Sequence, residues 1–171
     1  MTVLVAYASR YGATAGIAER IAETLTASGH PAEACHVSDA KDVADHEAVV
    51  VGSAVYFGSW MKDATAFVER NSRTLADRPV WMFSSGPLPG AVLPEETDND
   101  PQPKGLAGVQ EAIGAKEHRI FDGALDPRAL NLRHRLVRAL PAGRPLLPEV
   151  DGRDWPAIDA FARSIGAALG T

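Results

Sequence analysis

The sequence predicts an α/β protein built as a three-layer α/β/α sandwich, a parallel sheet between two layers of helices. Two observations carry this. "TVLVAY", "EAVVVGSAVY" and "PVWMFSSGP" are short, nearly unbroken apolar runs rich in β-branched residues, the pattern of strands covered on both faces. They alternate with segments whose apolar residues recur at helical spacing, and parallel strands need such crossovers, which cover both sides of the sheet. At 171 residues the chain suits one domain over residues 1–171, a size that buries roughly 70% of the surface its unfolded chain exposes.

"TVLVAY" is the first strand. From Thr14 the positions Ala18, Ile21, Ala22 and Leu25 share a helical face, and "SGHP" closes that helix with a glycine followed by a proline. "AEACHV" reads as a weaker, outer strand, and "EAVVVGSAVY" as the third. "WMKDATAFVERNSRTL" predicts a helix with Trp60, Met61, Ala64, Phe67, Val68 and Leu75 on one face. "PVWMFSSGP" is the fourth strand. The polar, proline-rich stretch 88–104 reads as a mobile loop, "LAGVQEAIGA" as a short helix and "KEHRIFDGAL" as the fifth strand. In "RDWPAIDAFARSIGAAL", Asp154 is the expected N-cap and Pro156 sits in the first turn. Trp155, Ile158, Phe161, Ala162, Ile165 and Leu169 then line one face of the last helix.

Composition removes several function classes. The hydrophobic fraction of 46% and charged fraction of 23% are those of a globular protein, and no run approaches the ~20 apolar residues of a membrane span. The chain opens directly on a strand without an export-like segment, so the cytoplasm is expected. A net charge of -5 argues against general nucleic-acid binding. Cys35 is the only cysteine and is expected to act as a small buried hydrophobe. His30, His36, His46, His118 and His134 lack metal-site spacing, and "EETDND" lacks the spaced ligands and glycine of a calcium loop, so no metal is expected.

The chemistry is expected where ligands sit in open α/β sheets, beyond the carboxyl ends of the strands, where helix N-termini present unpaired amides and partial positive charge. After the first strand come Ser9, Arg10, Gly12 and Thr14; after the third, Ser53 through Trp60; after the fourth, Ser84, Ser85 and Gly86. The hydroxyls of Ser9 and Thr14, the charge of Arg10 and consecutive amides around Gly12 suit a phosphate. The same two hydroxyls could instead satisfy the turn and cap the helix. The spacing is neither Gly-x-Gly-x-x-Gly nor Walker A.

Val5, Tyr7, Ser9, Gly12, Thr14, Ala18 and Ile21 together resemble the flavodoxin fingerprint, with Ala6 standing where a larger apolar residue is usual. The resemblance runs over essentially the whole chain. It is closest to the menaquinone-dependent protoporphyrinogen IX dehydrogenase branch, through the arginine in the phosphate loop, "VVVGSAVYFGSW", "GAL" and "DWPAIDAFAR". It implies a flavodoxin-like five-stranded parallel sheet in the order 2-1-3-4-5. It also implies an FMN phosphate at Ser9, Arg10, Tyr11, Gly12, Ala13 and Thr14, with the isoalloxazine ring between residues 54–60 and 85–90. Contacts to the ring are then expected from Ala54, Val55, Tyr56, Phe57, Gly58, Ser85 and Gly86. A flat amphipathic ring wants aromatic faces and backbone polar groups at its edge; Tyr56 is the favoured stacking residue, Phe57 and Trp60 are further candidates, and Gly58 and Gly86 let the backbone approach. Gly58 also resembles the position at which a peptide of this loop reorients on flavin reduction. The flavin carries the electron chemistry, so no catalytic triad is expected.

One segment departs from the acidic remainder. "RALNLRHRLVRAL" places Arg128, Arg133, Arg135 and Arg138 near an apolar set of Leu132, Leu136, Val137 and Leu140. It could hold porphyrin propionates, touch an anionic membrane surface peripherally, or be a solvated face over an ordinary apolar stripe. The expected function is an FMN oxidoreductase acting on a porphyrinogen or quinone. The alternatives are a flavodoxin-type carrier serving a redox protein, and a degenerate partner-binding domain without FMN. A homo-oligomer is left open.

Overall fold

The computed structural model describes residues 2–86, 102–145 and 149–170. Strands β1 (Val3–Ala8), β2 (Ala32–His36) and β3 (Ala48–Tyr56) lie side by side, with β1 between the other two. A two-residue strand, β4 (Ser59–Trp60), folds back antiparallel on the end of β3. β5 (Val80–Ser85) and β6 (Glu117–Phe121) complete a parallel sheet in the order β2-β1-β3-β5-β6. This is the expected 2-1-3-4-5 order with β4 interposed in the numbering.

Alternate residues of the strands feed two separate cores. Val3, Val5, Val50, Trp81 and Phe83 face α1 (Ala13–Ala27) and α5 (Trp155–Leu169), whose Ile17, Ile21, Ile158, Phe161 and Ile165 are buried against them. Leu4, Ala6, Val49, Val51 and Met82 face α2 (Lys62–Ala76) and α3 (Leu106–Ala112) through Phe67, Leu75 and Leu106. Period-2 alternation on strands sandwiched between helices leaves both faces apolar, which is why the runs read as continuous. Gly52 of β3 is fixed by this packing: a Cβ there would lie 2.0 Å from the ring of Phe83, its register partner on β5.

The last helix starts as expected, with Asp154 Oδ1 accepting the Ala157 amide at 3.0 Å. One turn on, Asp159 joins α5 to α1. Its carboxylate accepts two bonds from Arg20, at 2.6 and 2.7 Å, and one from the Thr24 hydroxyl at 3.1 Å. The Arg20 hydrogen bonds hold this carboxyl below the usual carboxylate range.

Three expectations change. Trp60 and Met61 precede α2, and Trp60 belongs to β4. The run "KEHRIFDGAL" breaks at Asp122 and Gly123: β6 ends at Phe121, and β7 (Ala124–Leu125) pairs antiparallel with β8 (Val150–Asp151). The basic segment is therefore an excursion closed at its base by β7 and β8, with α4 (Leu132–Ala139) within it. Cys35 is half-buried against the α2/α3 core, and burial pushes its thiol up, with Glu33 and Asp39 adding to the effect. Most of the loop 88–104, including "EETDND", and residues 87–90 of the expected ring site lie outside the described residues.

Candidate functional site

The N-terminus of α1 is open in the manner an anion needs. Gly12, at φ +89°, is the N-cap and makes no side-chain capping bond. The first amide to donate back into the helix is that of Gly16, to Gly12 O at 3.0 Å, so the amides of Ala13, Thr14 and Ala15 precede any intrahelical acceptor. Ser9 Oγ accepts the Gly12 amide at 3.1 Å, which shapes the turn and leaves its hydroxyl proton to donate. Thr14 is 1% exposed. Its Oγ1 is buried and finds no hydrogen-bond partner among the described residues. Such a group costs about 1–3 kcal/mol unless a ligand satisfies it. Of the two roles the sequence left open, Ser9 takes the turn and Thr14 does not cap the helix.

The second loop is a hairpin. Val55 pairs with Trp60 and Tyr56 with Ser59, leaving Phe57 and Gly58 as a two-residue turn with φ of +51° and +73°. Both positions of such a turn demand left-handed backbone, which glycine accepts and a bulky aromatic resists. Phe57 nonetheless holds it, 94% exposed. Strain of this kind concentrates at ligand sites. Tyr56 is half-buried, with the Arg10 guanidinium 5.4 Å from its ring centre. Arg10 thus covers one face of Tyr56 and stitches the first loop to the second, and Phe57 is the aromatic ring left open. Burial pushes the Tyr56 phenol up to about 12, the neighbouring Tyr11 adding to the shift and Arg10 opposing it, so the hydroxyl keeps its proton at neutral pH.

At the third loop Ser85 is 5% exposed, and Gly86 donates its amide to Phe121 O at 2.9 Å. A Cβ on Gly86 would sit 3.6 Å from Val55 O, which places this loop against the base of the hairpin. The carboxyl ends of β1, β3 and β5 therefore converge, and bring together Ser9 to Thr14, Ala54 to Gly58, Ser85 and Gly86. Arg128, Arg133 and Arg135 remain exposed on the excursion, and Arg138 lies 3.9 Å from Glu149.

Trp60 does not offer its face. It is 6% exposed, and its indole N–H donates to Ser84 Oγ at 2.7 Å, which in turn lies 2.8 Å from His118 Nε2. This polar chain anchors the hairpin to β5 and β6. Ser53 adds a second anchor: its Oγ accepts the Met61 amide at 3.0 Å and its hydroxyl donates to Ala54 O at 2.8 Å. Burial lowers the pKa of His118. A proton is then taken up by the unfolded chain before the folded one as pH falls. Stability is expected to hold at neutral pH and to decline through the ordinary histidine range down to the lower folded value. His118→Gln should flatten that decline in urea unfolding measured from neutral to mildly acidic buffer. An undiminished decline in the variant would place the acid sensitivity elsewhere, since Asp159 and Asp151, held low by Arg20 and Arg153, lose their contribution only in the carboxylate range.

The family model of the flavodoxin domain matches residues 4–140, which spans all three loops and the sheet. The chain belongs to the flavodoxin family. Among solved structures it is similar to a flavodoxin from the domain Archaea, at 15% identity and a TM-score of 0.63, covering 100% of both chains. Flavodoxin 2 from Bacillus cereus matches at 20% identity and a TM-score of 0.60, again over 100% of both. The rubredoxin oxygen:oxidoreductase from the anaerobe Desulfovibrio gigas matches at 15% identity and a TM-score of 0.66, over 99% of this chain and 36% of that one. No curated protein matches the sequence.

Membership of the flavodoxin family indicates FMN as the cofactor and electron transfer as its business. The residues present fit that group: Thr14 Oγ1 is a buried donor without an acceptor, beside open helical amides. Bound FMN supplies one- and two-electron redox chemistry, leaving the protein to bind, orient and tune it. Sequence reasoning missed two neighbours of this flavodoxin-family site. Lys104 donates its amide to Gly58 O at 2.8 Å, tying the ring loop to the chain before α3. His134 of α4 meets Tyr11, hydroxyl to Nδ1, with ring centres 5.7 Å apart. Neither pair shares a motif; each is joined only by the fold. Among the described residues no cluster of His, Cys, Asp and Glu could hold a metal ion, and no helix is long and apolar enough to cross a membrane.

Proposed function

We propose that this flavodoxin-family protein is an FMN-dependent oxidoreductase, one domain over residues 1–171, that takes electron pairs from a small reduced substrate and passes them to a quinone. Ser9, Thr14 and the amides from Ala13 hold the phosphate, Phe57 covers a ring face, and Gly58 presents backbone to the ring edge. Protoporphyrinogen IX is the substrate implied by the sequence resemblance. Each turn removes two electrons and two protons from it, and the quinone leaves as quinol carrying both. Such a protein works in the cytoplasm, in peripheral contact with the inner face of the membrane.

The supporting observation is the rim of the site. The basic α4 rests on the phosphate loop through Tyr11 and His134, where a carrier docking on a basic redox partner would want acidic side chains. Anaerobic mixing of the FMN-loaded protein with protoporphyrinogen IX is expected to bleach the flavin absorbance, and an unchanged spectrum removes that substrate. The alternative, an electron carrier for a redox protein, draws support from the end-to-end match with flavodoxins. A carrier would take up electrons from a chemical reductant in two well-separated one-electron steps and ignore the porphyrinogen.

A further inference from the structure

α4 is a helix turned inside out. A surface helix normally buries its apolar stripe and exposes its polar side. Here Leu132, Leu136 and Leu140 are 74%, 63% and 60% exposed, and Val137 beside them is 40% exposed. Residues four apart share a line on a helix, so Leu132 and Leu136 form one ridge, and Leu140 is exposed just past its end as the C-cap. On the opposite side His134 and Arg138 are half-buried, against Tyr11 and beside Glu149. The helix rests on the protein by its polar side.

Among the described residues the remaining exposed large apolar side chain is Phe57. The contacts Tyr11 to His134 and Arg10 to Tyr56 connect the ridge to Phe57 around a single rim, at the carboxyl ends of the strands. Arg133 and Arg135 are exposed on α4, with Arg128 and Arg144 exposed nearby. Residues 127–148 contain five arginines and no acidic residue, in a chain of net charge -5.

We propose that α4 docks this protein reversibly on an anionic phospholipid surface. Leu132, Leu136 and Leu140 enter the boundary between headgroups and acyl chains while Arg133 and Arg135 lie against lipid phosphates. Docking turns the rim, with Phe57, toward the bilayer, where a lipid-dissolved electron acceptor is met. The nature of that acceptor rests on the oxidoreductase reading, whereas the docking stands on α4 alone. An acidic protein would also attract the arginines. An eight-residue ridge is only about 12 Å long, however, and falls well short of the ~800 Å² that each partner of a stable protein complex covers. A bilayer asks for no such area, since its headgroups close around a narrow ridge.

The full chain, loaded with FMN, is floated with vesicles of phosphatidylglycerol and phosphatidylcholine, or of phosphatidylcholine alone, and the flavin absorbance of the vesicle fraction is read. Binding is expected to the anionic vesicles alone, and to be released by salt. Leu132→Ser with Leu136→Ser should weaken it on the order of 100-fold, and Arg133→Gln with Arg135→Gln about 30-fold. Retained flavin absorbance and far-UV circular dichroism establish that both variants are folded. Absent binding, equal binding to neutral vesicles, or leucine variants that bind like the parent overturn the proposal. So does a dimer, or a complex with an acidic protein, that the leucine variants abolish while vesicles are ignored. Vesicle binding is scored without substrate and porphyrinogen bleaching without vesicles, so each can fail without the other.

Discussion

Replacing Thr14 by valine is expected to move two measurements in opposite directions. Valine keeps the shape of threonine and removes the buried oxygen that finds no partner among the described residues. Relief of that unsatisfied group should stabilise the FMN-free protein by about 1–3 kcal/mol, which raises its melting temperature by about 2–12 °C at this chain length. The same change deletes a hydrogen bond to a charged phosphate, worth about 1.5–3 kcal/mol, so FMN should bind about 10- to 100-fold more weakly. Fluorescence titration with FMN and thermal unfolding of the FMN-free protein check the pair. Unchanged affinity would remove Thr14 from the phosphate site, and a lowered melting temperature would mean that the hydroxyl has a partner after all. Adding Ser9→Ala should weaken FMN further, because the turn that points the amides outward is held by Ser9 Oγ on the Gly12 amide.

Gly52→Ala is expected to damage the sheet core severely, although it adds only one methyl group. The added Cβ would meet three atoms of the Phe83 ring at 2.0 to 2.6 Å, and Phe83 is fully buried between β3 and the α1/α5 layer. Neither β3 nor β5 can withdraw, because they are paired over six residues from Val49 to Ala54. Overpacking of this kind costs about 3 kcal/mol, equivalent to a melting temperature lower by about 6–12 °C. Combining it with Phe83→Leu should recover part of the loss, since the smaller side chain vacates the space. Thermal unfolding of both variants tests this, and no recovery would mean that the damage comes from the strand itself. Weaker FMN binding should accompany the loss, because Gly52 lies just before Ser53 and Ala54, from which the ring loop springs.

Local pattern made much of this molecule legible. Unbroken apolar runs identify strands covered on both sides because alternate residues of β1, β3 and β5 feed two different cores. The amphipathic face of α5 was readable with its Asp154 cap, since both depend only on residues a few positions apart. The turn between β1 and α1 was readable for the same reason: Ser9, Gly12 and Thr14 lie within a few positions of one another. The ring loop was not. Phe57 and Gly58 carry no Asn-Gly hairpin signature, so the pattern does not announce β4, and helical spacing alone puts Trp60 on the face of α2. Its indole is held instead by Ser84, 24 residues away.

The sequence by itself determined the layers, the strand order through its family resemblance, and the turn of Ser9 and Gly12 that opens α1, because each is written in neighbouring positions or in a motif. Only the tertiary structure decided which aromatic ring stays open at the site, and which way the basic helix faces. Periodicity says which residues of α4 share a side but carries no information on what that side meets. The pairing of His134 with Tyr11, 123 residues apart, turned its leucines outward.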